Sequence, residues 1–350
     1  MTKSNCKLKS RGLIPKLLVS TLLIQSAFSL GQDDKCRVLA LRGGGTKGAY
    51  ESGALKGLFT ELKNNSIYFS YDVVSGVSIG AINAALIALY PKGQEMDAIN
   101  ELEQIWRTHQ VQDLYRNWPG QPIIGSLWKD AIFDNTPLQE FGNQTLFGRT
   151  FHRKITYQSV DMNTGRVVNF DEQTPVDQMY QSLLASASIP GVFSPQHLKN
   201  MVLADGGVFE NLNLGPAVNK CREQGVPDNK IIVDVLLCFD GPIQVEEWTY
   251  EEAKYKSVSE LQKRKQELRD SYYYLEDVDR VIRGFPEVQY RYVLQPSEKL
   301  PTKFIPIFSS LDETVFQLEL GAKDMTNLVR SGKQSNNRHI QEIIDSVKKI

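Results

Sequence analysis

Val73-Val74-Ser75-Gly76-Val77-Ser78-Ile79-Gly80-Ala81-Ile82-Asn83-Ala84-Ala85-Leu86-Ile87-Ala88 runs from an apolar stretch, through a serine framed by two glycines, into a second apolar stretch. Tyr71–Ser75 reads as a strand and Ile79–Tyr90 as a buried helix that Pro91 ends. A serine on such a strand–turn–helix is aimed outward as a nucleophile. Serine is weak at its free pKa and has to be positioned and activated. The tight turn forces strained backbone angles, and Gly76 and Gly80 remove Cβ clashes around Val77, Ser78 and Ile79. The helix starting near Ile79 brings its positive end to the reacting centre. Gly-x-Ser-x-Gly also arises by chance, so the apolar flanks carry the reading.

Upstream, Arg37–Leu41 is strand-like and leads into Gly43-Gly44-Gly45-Thr46-Lys47-Gly48. Ala49–Lys63 follows with the helical spacing of Leu55, Leu58, Phe59 and Leu62. Two functions compete for this loop. As a G-x-G-x-x-G it fits a dinucleotide-binding oxidoreductase, with glycines approaching a pyrophosphate at a helix N-terminus. That reading needs an acid about 20 residues on, at the end of the second strand. Asp72, the nearest, opens its strand, and nothing in the reading explains Ser78. As an oxyanion site, the loop offers the N–H groups of Gly44, Gly45 and Thr46 to a tetrahedral intermediate. Lys47 either adds positive charge there or is a solvated lysine.

An elbow serine needs a base. The histidines are His109, His152, His197 and His339. None lies in a catalytic-looking context, and His197 is the one kept in view for its nearness to Asp205. Asp205-Gly206-Gly207 is the better source. Asp205 ends the short apolar strand Met201–Ala204, where open α/β sheets collect functional groups. Asp-Gly-Gly is also an ordinary turn. A free aspartate near pKa 3.9 is a poor base; burial against Ser78 would raise it toward a working pH.

These motifs, in this order and spacing, resemble the patatin-like phospholipase family. Ala185-Ser186-Ala187-Ser188-Ile189-Pro190-Gly191-Val192-Phe193-Ser194-Pro195 also looks like the family block that precedes the aspartate motif. The likeness covers roughly Arg37 to Phe239. It implies a three-layer α/β/α fold and lipid acyl hydrolysis without a metal or cofactor. It further implies a dyad of Ser78 as nucleophile and Asp205 as general base, with the Gly43–Gly48 loop as oxyanion hole. Arg42 and Asn213 depart from the family pattern without touching the dyad. A non-catalytic storage or binding protein of the same family is the further alternative.

The remaining pattern agrees with an α/β class. Ile155–Val160 and Arg166–Phe170 flank a turn at Asn163-Thr164-Gly165 and read as a hairpin. Met96–Arg107, Val176–Ser186 and Leu214–Gln224 read as helices, and Lys230–Phe239 as a buried strand. Strands alternating with helices imply a mainly parallel sheet covered on both faces. Glu246–Arg283 is charge-dense and low in Gly and Pro. It reads as one long helix or a helical pair, and more as a packing helix than as a lid over a lipid site. Val288–Leu294 reads as a late strand, and Leu311–Arg330 and His339–Lys349 as closing helices. The expected layout is a presequence at 1–31, a catalytic domain over 37–330 that includes 246–283, and a C-terminal helix in 331–350.

Charge and cysteines bound the rest. Lys3, Lys7, Lys9, Arg11 and Lys16 precede the first acid, Asp33, and are followed by apolar Leu17–Leu30. This reads as a secretory signal, with an uncleaved anchor or an unstructured tail as alternatives. It implies export or an endomembrane lumen. The remainder carries 35 basic against 41 acidic residues, which argues against nucleic-acid binding. The expected partner is a lipid ester, met transiently at a membrane or lipid surface. Beyond Cys6, the cysteines are Cys36, Cys221 and Cys238. The odd number implies no disulfide framework, and Cys238, in an apolar run, reads as a small buried side chain.

Overall fold

Alternating side chains along the first strand divide the core into two. A computed structural model describes residues 34–109, 115–118, 129–146, 148–238, 248–301 and 310–332. Within strand β1 (Cys36–Leu41), Val38 and Ala40 face one hydrophobic cluster and Leu39 and Leu41 the other, as a two-residue repeat requires. β1 lies between β2 (Val73–Val77) and β10 (Ile231–Leu236), parallel to both. β11 (Gln289–Leu294) extends the sheet parallel to β10, and β5 (Lys154–Asp161) extends it parallel to β2. β6 (Arg166–Asp171), β8 (Gln196–Leu198) and β9 (Met201–Asp205) finish it antiparallel. The order is β11-β10-β1-β2-β5-β9-β8, with β6 also on β5. Buried on both faces, the central strands are nearly continuous apolar runs.

Helices cover each face, which makes the three-layer α/β/α arrangement. On one side lie α1 (Gly48–Asn64), α2 (Ile79–Ala88), α3 (Glu95–Thr108), α5 (Val176–Ser186) and α9 (Leu311–Arg330). On the other lie α6 (Leu214–Arg222) and the end of α8 (Val258–Gly284). α9 packs closely on α1: a Cβ on Gly53 would stand 2.0 Å from Leu318 O. Tyr50 donates to Asp324 Oδ2 at 3.1 Å across that contact.

The described residues from Lys35 onward make one compact unit. The expected presequence 1–31, the C-terminal helix in 331–350 and His339 lie outside the described residues. The charged segment is a helical pair, α7 (Tyr250–Lys254) and α8, each opened by a capping box. Elements with no clear sequence signal include α4 (Thr136–Leu146) and a small second sheet of β3 (Arg116–Asn117), β4 (Ala131–Asp134) and β7 (Gly191–Phe193). The cysteine expectation is corrected. Cys36, opening β1, is disulfide-bonded to Cys221 in α6, and Cys238 is the buried free thiol. Odd-number counting fails here because one bridge and one core cysteine coexist.

Candidate active site

One strand brings the serine and the aspartate together. Along β5, residues Thr156–Asp161 pair with β6 on one edge. The other edge is shared. β2 occupies it as far as the Val77–Gln158 pair, and β9 takes over at the Ser159–Asp205 pair. Ser78 leaves β2 at that junction and Asp205 ends β9 at it. Ser78 Oγ therefore donates to Asp205 Oδ2 at 2.6 Å, across 127 positions of sequence.

The turn holds Ser78 at φ 56°, ψ −127°, a left-handed backbone that a non-glycine residue adopts only under constraint. Two close approaches impose it. A Cβ on Gly76 would stand 2.1 Å from Gly80 O, and one on Gly80 would stand 2.4 Å from Leu41 O. The Ser78 N–H donates to Ser186 Oγ at 3.1 Å, and Ser186 Oγ donates to Gln158 O at 2.7 Å. Ser186 lies in the block before the aspartate motif, whose sequence signalled a position but no role.

Asp205 is 4% exposed. Its Oδ1 accepts from the Gly207 N–H at 2.7 Å. Burial raises its pKa to about 6, against the pull of the bonds from Ser78 and Gly207. Gly206 lies tight on β5, where a Cβ would be 2.7 Å from Gln158 O. A carboxylate so placed accepts a proton near neutral pH more readily than a free aspartate.

The glycine loop lies beside this pair. A Cβ on Gly43 would be 3.1 Å from Ser78 Cβ. The Gly43 N–H donates to Asn211 O at 3.0 Å, the Lys47 N–H to Gly44 O at 3.3 Å, and the Gly48 N–H to Gly45 O. Among the described residues, Gly44, Gly45 and Thr46 donate no backbone hydrogen bond to another residue. Gly45 has φ +61°, a value that favours glycine. Lys47 is half-buried.

Of the departures in sequence, Arg42 braces the site with its side chain and Asn213 takes part through its main chain. Arg42 donates to Gly43 O at 3.1 Å and to Asp277 Oδ2 of α8 at 3.2 Å. Asp277 Oδ2 also accepts from the Asn211 N–H at 3.3 Å. Asn213 O accepts from Ser75 Oγ at 2.5 Å. Behind the loop, Cys238 Sγ donates to Arg42 O at 2.9 Å.

A cavity of about 130 Å³ opens at Ser78, Gly45 and Thr46. Ile79, Ile82 and Leu86 of α2 line it, facing Leu102, Ile105 and Trp106 of α3. Tyr115 and Phe193, from the second sheet and the residue before it, close the outer wall with Phe141 of α4. The Asn83 amide and the Trp106 ring N–H in the wall are committed to each other and to α1. Asn83 donates to Gly48 O and to Glu51 Oε2 and accepts from Trp106 Nε1. Among the described residues that line the cavity, none belongs to α7 or α8.

His197, the histidine kept in view by sequence, does not line the cavity at Ser78 among the described residues. His197 is exposed on β8, and His152 is exposed beyond α2. His109 does line the cavity, its ring tilted against Phe141 with centroids 4.7 Å apart; its place at a helix end gave no sign of that. Asp72, the acid wanted by the dinucleotide reading, sits before β2, at the opposite end from Ser78. There it accepts from the Arg37 N–H at 2.8 Å and pairs with Lys92. Among the described residues no cluster of His, Cys, Asp and Glu is arranged to hold a metal.

A family model for patatin-like phospholipases matches residues 39–218, a span that contains the glycine loop, Ser78 and Asp205. The chain is 51% identical over 146 residues to the cUMP-AMP-activated phospholipase of Escherichia coli, covering 35% of this chain and 44% of that protein. It is 29% identical over 186 residues to the cGAMP-activated phospholipase of Pseudomonas aeruginosa, covering 50% and 53%. It is 24% identical over 212 residues to the human calcium-independent phospholipase A2-gamma, covering 53% and 26%. The alignments thus span from about a quarter to about half of these relatives' lengths. Among solved structures, VipD from Legionella pneumophila gives a TM-score of 0.40 at 11% identity, covering 85% of this chain and 67% of that one.

Proposed function

The chain belongs to the patatin-like phospholipase family, and from that premise we propose that it is a lipid acyl hydrolase working through Ser78 and Asp205. The observation that carries this is the 2.6 Å bond between Ser78 Oγ and Asp205 Oδ2 at the head of an apolar cavity. An acyl chain lies in the cavity and places its ester carbonyl at Ser78. Ser78 Oγ attacks the carbonyl carbon while its proton passes to Asp205 Oδ2. The carbonyl oxygen, now negative, is held by N–H groups of Gly44, Gly45 and Thr46. Such donors, fixed in advance, contribute roughly a hundredfold each.

Collapse of the tetrahedral intermediate expels the alcohol, which takes back the proton from Asp205. The acyl group remains on Ser78. Water then attacks that ester as Asp205 accepts its proton, and Asp205 passes the proton to Ser78 Oγ as the C–O bond breaks and the fatty acid leaves. The chemistry calls on no group outside this chain.

Export is part of the reading. The basic, then apolar, start supports it, and so does the Cys36–Cys221 bridge, since disulfides persist in oxidising compartments.

The test is fatty-acid release from phospholipid vesicles by the full chain and by Ser78→Ala. The wild type releases acid and Ser78→Ala, still folded by circular dichroism, does not. Equal release by both sinks the proposal. The assay is run with and without a cyclic dinucleotide, because two relatives carry such activation in their names.

A further inference from the structure

We propose that the exposed face of α8, together with α7, docks the protein on an anionic lipid membrane. This inference rests on the lipid-hydrolase reading, for it says where the enzyme meets its insoluble substrate.

α8 has two faces of different fate. Toward its end, Tyr274, Val278, Val281 and Ile282 are buried in the core cluster below β10. Val258, Leu261, Leu268 and Tyr272 fall within about 80° of arc on nearly the opposite side, by the 3.6-residue repeat. These four are 77%, 49%, 45% and 60% exposed. Tyr250 and Tyr255 add 77% and 75% exposed rings from α7 and the turn after it. An apolar stripe of this extent marks a contact surface.

Charge selects the partner. Residues 250–270 carry six cations against five acids, and the cations concentrate in Lys263-Arg264-Lys265 and Arg269. Lys265 falls within the stripe and Arg269 at its edge on the helical repeat. Trp248 sits between Lys256 Nζ, at 4.8 Å, and Arg264 Cζ, at 4.9 Å. Cations flanking apolar and aromatic side chains are the composition of a helix lying in an anionic headgroup layer. The same charges oppose pairing with a second copy, which would bring like charges together.

Position fits the task. The Arg42–Asp277 contact ties α8 to the glycine loop, and Val258 lies about 28 Å further along the helix axis. The stripe is thus joined to the glycine loop along a single helix, on the sheet face opposite the cavity.

The test is co-sedimentation of the full chain with vesicles of phosphatidylcholine, alone or with phosphatidylglycerol. The wild type is expected to bind the mixed vesicles, less so as salt rises. The double variants Val258→Asp/Leu261→Asp and Lys263→Glu/Lys265→Glu should each bind at least about tenfold more weakly. Both should keep wild-type hydrolysis of a short soluble ester, which shows that fold and site are intact. Wild-type-like vesicle binding by either variant overturns the proposal, as does equal binding of both vesicle types by the wild type. A wild-type dimer that Leu261→Asp dissociates assigns the stripe to a second copy and overturns it too. Vesicle binding is scored on the Ser78→Ala chain as well, so a failed hydrolase reading and a failed docking surface give different results.

Discussion

Asp205 carries its charge against its surroundings, and that sets two pH effects of opposite sense. Hydrolysis needs the ionised form, so the initial rate on a soluble ester should rise as pH passes through about 6. A flat profile from pH 4 to 8 would remove Asp205 as the base. Stability moves the other way. A carboxyl whose folded pKa is raised binds its proton more tightly in the folded chain, so stability is lost as pH rises from about 4 to about 6. Asp205→Asn should abolish hydrolysis while stabilising the fold at pH 8 by about 1–3 kcal/mol, measured by urea unfolding. Glu51, fully enclosed beneath the glycine loop, is pushed up to about 8 by burial and extends the decline to about pH 8. Ser78 and Asp205 were legible in the sequence because turn chemistry marks them locally. Glu51 was not: in sequence it is an ordinary acid in a helix's first turn, and only its complete burial by the folded chain raises its pKa, against the pull of the bond from Asn83.

At the scale of elements, the helix–sheet contact at the elbow and the Arg42–Asp277 contact to α8 hold the site in place. Gly80→Ala would place a methyl 2.4 Å from Leu41 O, and overpacking of backbone on backbone costs about 1–3 kcal/mol; the melting temperature should fall accordingly. Asp277 is a positioning residue acting through Arg42. Asp277→Ala should lower kcat at least about tenfold with KM little changed, since the loop N–H groups lose their aim. If only the melting temperature falls and kcat holds, the anchor is structural alone. The long elements were readable from apolar period and from breakers such as Pro91. Strands β3, β4, β7 and β8 were not. Each has two to four residues, too few to show a period; β3, β4 and β7 exist only through pairing with one another across the chain, and β8 only through its hairpin with β9. Their loss from the sequence reading also hid Tyr115 and Phe193, and with them the outer wall of the cavity.

For the molecule as a whole, the Cys36–Cys221 bridge closes 185 positions of chain between the first strand and the sixth helix. Closing so long a loop restricts the unfolded chain and contributes about 2–5 kcal/mol. Reductant should therefore lower the melting temperature of the wild type and leave a Cys36→Ser/Cys221→Ser chain unmoved. No shift with reductant would mean the two thiols stay apart in the purified protein. The layered fold was foreseeable because parallel strands buried on both faces need helices on both sides. The meeting of Ser78 with Asp205 rested on β5 sharing one edge between β2 and β9, which no local pattern states. The direct measurement is labelling by an organophosphonate serine probe, located by peptide mass spectrometry. The account predicts one adduct, on Ser78, forming faster as pH rises through about 6 and absent in Asp205→Asn. An adduct on another residue, or undiminished labelling of Ser78 in Asp205→Asn, would contradict it.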